Sequence, residues 1–211
     1  MPELHVIGAG GHAKVIVALA EEAGYRIAGV YDDSLAASPQ LLGHNITRGL
    51  MNVPDAPDTL AFLAVGRNAL RQQLAGRFER VQWATLIHPA AWVAPDALVG
   101  AGSVIMAGCV VQPGVQMGRH VIVNTLAGVD HDCVLGDYVH VAPGCRLAGN
   151  VHLAQGVFAG VGAMFTPGAS VGAWSIVGAG AVVNATLPAN VTAVGVPARI
   201  IKERPDGWQR S

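Results

Sequence analysis

The chain has 211 residues, enough for one large domain or two small ones with a real core. It is 52% hydrophobic but only 5% aromatic, holds 27 glycines and carries a net charge of −1, so a broad nucleic-acid or membrane-surface role has no electrostatic support. No apolar run reaches the ~18 residues of a spanning helix, and MPELHVIGAGGHAKV lacks a basic region followed by an apolar signal core, so a soluble, cytoplasmic protein is expected.

Residues 1–87 read as a small parallel α/β domain. LHVI (Leu4–Ile7) is a short apolar strand, followed by GAGGHA and a helix from Lys14 to Ala23 that Gly24 closes. RIAGVY (Arg26–Tyr31) is a second strand, ending in Asp32-Asp33. LAFLAV (Leu60–Val65) is a third, leading through Gly66 into a helix that reaches Phe78. VQWATLI (Val81–Ile87) is a fourth. Strands alternating with helices predict a parallel sheet. The Pro-rich stretch Leu35–Thr59 gives no clear assignment. The domain boundary is expected near His88-Pro89, leaving 88–211 as a second domain.

Gly8-Ala9-Gly10-Gly11-His12-Ala13 satisfies G-x-G-x-x-A between a strand and a helix, and Asp32 stands at the end of the next strand. That is the dinucleotide fingerprint, and it suggests an NAD-dependent oxidoreductase. The physics asks for less: a tight turn that brings backbone N–H groups and a helix N-terminus to an anion. A domain of this length holds about half of a full dinucleotide fold. A nucleoside diphosphate linked to a sugar satisfies the same loop, with Asp32 taking ribose or base groups. The plainer reading is a glycine turn that only packs helix on strand. His12 sits where the helix dipole disfavours its cation; it can donate to a phosphate or sugar, or be a partly exposed loop residue.

From Val93 the grammar changes. Every sixth residue through Val183 is apolar, sixteen positions without an insertion, and the residue four further on is small or aliphatic. A fixed short period is the mark of a repeat architecture. This one resembles the hexapeptide repeat of left-handed parallel β-helices, in which three repeats make one triangular coil; sixteen would give about five coils. Cys109, Cys133 and Cys145 all fall on the small inward position. They are too few and too spread for a disulfide framework and are expected to be buried thiols.

Only six charged residues lie between Val93 and Val194, and Asp130, Asp132 and Asp137 crowd around His131. Two places after inward Val129, His131 belongs to a turn. A carboxylate beside an imidazole fixes its tautomer and raises its basicity, which is the composition of a general base. A merely solvated Asp-His-Asp corner is the alternative.

NTLAGVDHDCVLGDYVHVAPGCRLAGNV, preceded by GAGGHA and VYDDS and followed by AVGVPARII, resembles the NeuD/PglD-like sugar acyltransferases over essentially the whole chain. The resemblance implies an α/β nucleotide-sugar domain, a left-handed β-helix, acetyl-CoA as co-substrate and a homotrimer, with N-acetylation of a 4-amino nucleotide sugar in bacterial surface glycan synthesis. It implies His131 as catalytic base and Asp132 as the acid that raises its basicity. Relatives often carry the longer Glu there, so the orienting role stays open between Asp132 and Asp130. Gly10, Gly11, His12, Asp32, Asp33 and Gly66 match the sugar-nucleotide site. His140 matches a histidine that contacts acetyl-CoA, and Val161 and Ala179 line the coenzyme A groove. A backbone N–H near Gly149 would stabilise the oxyanion. Asn124 would hold the sugar or an imidazole, or simply form a turn.

Rival readings remain at this point. Sialic-acid-type O-acetylation would use the same site, and a non-catalytic nucleotide-sugar sensor would keep GAGGHA without needing Asp-His-Asp. γ-type carbonic anhydrases put a histidine-bound metal on the same β-helix. Here His120, His131, His140 and His152 are spaced 11, 9 and 12, whereas one face recurs every three repeats, so no metal site is expected. His131 and His140 stand half a coil apart, which predicts a site shared between chains of a trimer.

Overall fold

A computed structural model describes residues 1–34 and 39–208. Two compact units divide at Pro89 and Ala90.

In the first unit, β1 (Glu3–Ile7), α1 (Gly11–Glu22), β2 (Arg26–Asp32), β3 (Gln40–Leu41), β4 (His44–Arg48), β5 (Leu60–Leu63), α2 (Asn68–Ala75) and β6 (Gln82–Trp83) follow in chain order. The sheet order is β3-β4-β2-β1-β5-β6. β1 lies inside the sheet, paired in parallel with β2 and β5, which suits its buried Leu4, Val6 and Ile7. Helix α1 buries Ala13, Ile16, Val17 and Ala20, the i, i+3, i+4, i+7 stripe of an amphipathic helix. Gly24, at φ +86°, ends it in the left-handed conformation that glycine adopts without strain.

Two expectations need correction. VQWATLI is not one strand: it splits into β6 and a separate two-residue strand, Leu86–Ile87, and only β6 pairs with β5. The stretch left unassigned at Leu35–Thr59 contains the β3–β4 hairpin, antiparallel across a turn at Leu42-Gly43, and a short 3-10 turn at Leu50–Asn52. Its residues 35–38 lie outside the described residues.

The second unit is a parallel β-helix. Two-residue strands recur every six residues from Trp92–Val93 to Val182–Val183, and each pairs with the strand three repeats on, as Val110 with Gly128 and Gly128 with Arg146. Three faces result. Face 1 carries Val104–Ile105, Ile122–Val123, His140–Val141, Phe158–Ala159 and Ile176–Val177. Face 2 carries Trp92–Val93, Val110–Val111, Gly128–Val129, Arg146–Leu147, Met164–Phe165 and Val182–Val183. Face 3 carries Leu98–Val99, Gln116–Met117, Val134–Leu135, His152–Leu153 and Ser170–Val171. Successive residues of a strand point to opposite sides, so the second residue of each pair faces in. From Ile105 and Cys109 onward both inward series are buried.

The three thiols lie in that core. Each donates to a backbone carbonyl: Cys109 to Asn124 (3.0 Å), Cys133 to Ala148 (3.1 Å) and Cys145 to Gly160 (2.9 Å). Burial raises all three thiol pKa values, that of Cys145 to about 11, so none is a thiolate nucleophile near neutral pH.

Every corner needs one residue with positive φ, and these recur every six residues from Gly102 to Gly180. Glycine fills most of them. Four consecutive corners do without it: His120, Leu126, Asp132 and Tyr138, with φ between +56° and +60°. A side chain in this conformation costs roughly 1–2 kcal/mol relative to the right-handed one.

Candidate active site

His131 and Asp132 occupy the corner where face 2 gives way to face 3. Asp130, the last residue before it, accepts the His131 backbone N–H on Oδ1 (2.8 Å). Asp132 stands at the left-handed position, φ +59°, and its Oδ2 lies 2.8 Å from His131 Nδ1. The two carboxylates therefore divide the work: Asp132 orients the ring and Asp130 pins the backbone. A proton held on Nδ1 leaves Nε2 as the basic nitrogen. The His131 side chain is 55% exposed. Its pKa is raised first by the hydrogen bond to Asp132, and the charges of Asp130 and Asp132 act in the same direction.

The ring lies against Gly149 of the next coil. A Cβ there would come within 2.5 Å of His131 Cε1 and Nε2, so this position needs glycine for the imidazole to keep its place. The Gly149 N–H makes no hydrogen bond among the described residues.

His140 lies elsewhere. It is an outward residue of face 1, only 7% exposed, with its ring edge-on to Phe158 at 5.2 Å. The Asn124 amide nitrogen is 3.2 Å from His140 Nε2, and Asn124 Oδ1 accepts the Thr125 N–H. Asn124 therefore holds an imidazole, that of His140 and not of His131. Val161 and Ala179 stand exposed in successive coils at the corner between faces 1 and 2. The expected residues thus form two groups: His131, Asp132 and Gly149 at one edge of face 2, and Asn124, His140, Val161 and Ala179 at or near its other edge. Within one chain, face 2 lies between them.

In the first unit, Gly8 (φ +111°) turns the chain at the end of β1, and a Cβ there would sit 3.0 Å from the Ala64 carbonyl oxygen. Gly10 caps α1. Nothing lies within 4 Å of a Cβ built on Gly10 or Gly11, so packing does not require glycine at either place, and the backbone is open to close approach by a ligand. Asp32 braces this loop. Its Oδ2 accepts the Ala9 N–H (2.6 Å) and its Oδ1 the Ser34 N–H (2.7 Å). Partial burial works against its charge, but hydrogen bonds from Ser34 and Ala9 hold its carboxyl below the usual range. Asp33 accepts the Leu50 N–H (2.7 Å) and pairs with Arg77 (3.4 Å).

Sequence reasoning missed Arg71. It is 1% exposed, and its guanidinium donates to the carbonyls of Val65 (3.0 Å) and Gly66 (3.3 Å) and to Asn68 Oδ1 (3.1 Å). Burial, and then the Arg71 charge, bring the His12 pKa down to about 4, so His12 is neutral at neutral pH. The available signal was an arginine five residues after Gly66, in the helix that follows it. Among the described residues, no three of His, Cys, Asp or Glu gather as a metal site would require, and no helix is long and apolar enough to cross a membrane.

Residues 3–78 match the PglD N-terminal domain. Over its whole length the chain is similar to PerB of Caulobacter crescentus, solved in complex with CoA and GDP-perosamine: 38% identity, 96% of this chain and 98% of that one covered, TM-score 0.89. The chain belongs to the NeuD/PglD-like sugar acyltransferase family. Also similar to this family member is the acetyltransferase domain of PglB from Neisseria gonorrhoeae, solved with acetyl coenzyme A. Its identity is 36%, with 94% of this chain and 98% of that one covered and a TM-score of 0.88. A curated Escherichia coli relative named GDP-perosamine N-acetyltransferase is 28% identical, covering 95% of this chain and 96% of its own. Structures of the Caulobacter enzyme with one histidine replaced by asparagine or alanine also hold CoA and GDP-perosamine.

Proposed function

We propose that this NeuD/PglD-like acyltransferase moves the acetyl group of acetyl-CoA onto the amine of a nucleotide-linked 4-amino-4,6-dideoxy sugar. The observation that carries the reading is the His131–Asp132 pair: an exposed imidazole with one nitrogen engaged at 2.8 Å and the other free to accept a proton. The neutral sugar amine attacks the thioester carbonyl carbon. His131 Nε2 takes the proton that the nitrogen sheds, and Asp132 stabilises the resulting imidazolium. The C–S bond then breaks, and the proton passes from the imidazolium to the departing thiolate. The Gly149 N–H, beside the ring, is our candidate donor to the developing oxyanion. No acyl-enzyme is needed, and the buried thiols support direct transfer.

The nucleotide is assigned to the glycine loop, where Gly10, Gly11, neutral His12, Asp32, Asp33 and Gly66 surround the α1 N-terminus. Acetyl-CoA is assigned to His140, Val161 and Ala179. Since the two histidines face different ways in one chain, the active unit is a homotrimer, with His131 of one copy and His140 of the next at each site.

A panel of GDP-, UDP- and dTDP-linked amino sugars, with acetyl-CoA and mass-spectrometric readout, tests the reading. GDP-perosamine is the first candidate because it is named for full-length relatives. The accepted substrate should gain one acetyl group on nitrogen; acetylation only of hydroxyl acceptors would replace this reading with O-acetylation. Asp32→Ala should weaken nucleotide-sugar binding by about tenfold or more, the scale of a lost charge-assisted hydrogen bond, and leave acetyl-CoA binding intact. Calorimetric titration with each ligand measures both, and equal losses would refute the assignment of the two ligands to separate units.

A further inference from the structure

Resting on the acetyl-CoA assignment above, we infer that Leu126 is a specificity-determining residue for the acyl donor: its side chain closes the acyl end of the coenzyme A groove and limits the transferred group to acetyl. The residue is unusual in two ways at once. It takes φ +59°, where a bulky apolar residue is an outlier. It is also 58% exposed. An exposed leucine is ordinary by itself, but glycine would hold the same turn without strain. Neither the corner nor the core asks for leucine here, so its use lies outside the solenoid.

The column in which it stands indicates that use. At the corner between faces 1 and 2, the left-handed positions of successive coils are Gly108, Leu126, Gly144, Gly162 and Gly180. Backbone hydrogen bonds stack them. The N–H groups of Leu126, Gly144, Gly162 and Gly180 donate to the carbonyls of Ala107, Thr125, Pro143 and Val161 (3.0, 3.0, 2.9 and 2.8 Å). Among the described residues, nothing lies within 4 Å of a Cβ built on Gly144, Gly162 or Gly180. Three open glycines in a row, beside Val161 and Ala179, make a floor for an extended chain. From Gly180 to Leu126 is three coil spacings of ~4.8 Å, roughly 14 Å. The floor does not stop at Leu126 for want of glycine. Gly108 continues the column, but Leu126 lies over it: a Cβ on Gly108 would come within 2.5 Å of Leu126 Cδ2.

His140 fixes which end of the groove this is. Asn124, two residues before Leu126, holds the His140 imidazole at 3.2 Å, so His140 stands beside the step from Leu126 to Gly144. Val161 and Ala179 lie further along the column, in the direction away from Leu126. The thioester therefore sits at the Leu126–Gly144 step, with the acyl chain pointing on toward Leu126. Arg146 donates to the Leu126 carbonyl and holds the corner that carries the stop. An acetyl methyl fits in front of the leucine, and each further methylene must displace it. The reaction is the same for every acyl group: the C–S bond breaks, a C–N bond forms, and the amine proton ends on the departing thiolate.

A comparison of acyl donors tests the inference. kcat/KM is measured for acetyl-, propionyl- and butyryl-CoA with GDP-perosamine, or with whichever amino sugar the wild type accepts. The wild type should favour acetyl over butyryl by ~100-fold or more, at ~10-fold or more for each methylene. Leu126→Gly should raise the butyryl-to-acetyl ratio by ~10-fold or more through faster butyryl transfer. Leu126→Ala, which shortens the side chain without adding backbone freedom, should move the ratio in the same direction, and Leu126→Phe should not raise it. Calorimetric titration reads the same preference in binding without any sugar, and thermal unfolding verifies that each variant is folded. A wild type that uses butyryl-CoA as readily as acetyl-CoA would overturn the inference alone. So would folded glycine and alanine variants that still transfer acetyl with an unchanged ratio. A chain that binds no acyl-CoA would overturn it together with the reading on which it rests.

Discussion

His131→Ala lowers the turnover of acetyl transfer by ~10²–10⁴-fold, the usual worth of a general base. The side chain is exposed and lies on a corner, so its removal takes no packing from the core and the fold should survive. Steady-state assays under conditions where chemistry limits the rate give the value. Turnover near that of the wild type would remove His131 from the mechanism. Asp132→Asn costs less, because the imidazole remains, but it changes the pH dependence in a defined direction. The hydrogen bond to Asp132 raises the His131 pKa, and a base works only when deprotonated. Loss of the carboxylate lowers that pKa, so the acidic limb of the pH–rate profile should move to lower pH. An unmoved limb would mean that another group titrates.

Mixing inactive His131→Ala and His140→Ala chains restores activity. The histidines are nine residues apart, and one side of the prism, at about five residues of ~3.3 Å each, is roughly 16 Å long. One chain can hardly bring both to the same acetyl group. With free exchange at equal concentrations, about one site in four should combine an intact His131 from one chain with an intact His140 from the next. Each variant alone should lack such sites. Native mass spectrometry verifies exchange, and absence of recovery in verified mixed trimers would rule out the shared site.

The β-helix was legible because its geometry is nearly one-dimensional: each coil contacts only its neighbours, so inward positions recur at a fixed sequence interval and a period stands out. The α/β unit has no such period. VQWATLI looks like one strand since all but Gln82 and Thr85 are apolar, yet pairing to β5 stops at Trp83. The β3–β4 hairpin is two and five residues long, too short for an alternation to show. At the site, the charged cluster itself was visible. The division between Asp130 and Asp132 was not, because it depends on the backbone: positive φ at Asp132 swings its carboxylate onto the ring, while Asp130 reaches only the following N–H. Arg71 was hidden by its helix, NALRQQLA, whose polar sequence reads as solvated although Arg71 faces inward.

The four glycine-free corners from His120 to Tyr138 have a consequence for the energy landscape of the solenoid. Their unfavourable dihedrals collect in one stretch, and the proposed catalytic turn lies in the middle of it. Strain of this kind gathers at functional sites and persists where the surroundings over-determine it. The surroundings here are coils with more glycine at their corners, among which Asn150 and Trp174 also take positive φ. The β-helix should therefore be most strongly frustrated around His131, with single strained corners at Asn150 and Trp174. Hydrogen exchange should find the lowest opening free energy of the solenoid interior in these coils, with protection rising on both sides as glycine returns to the corners.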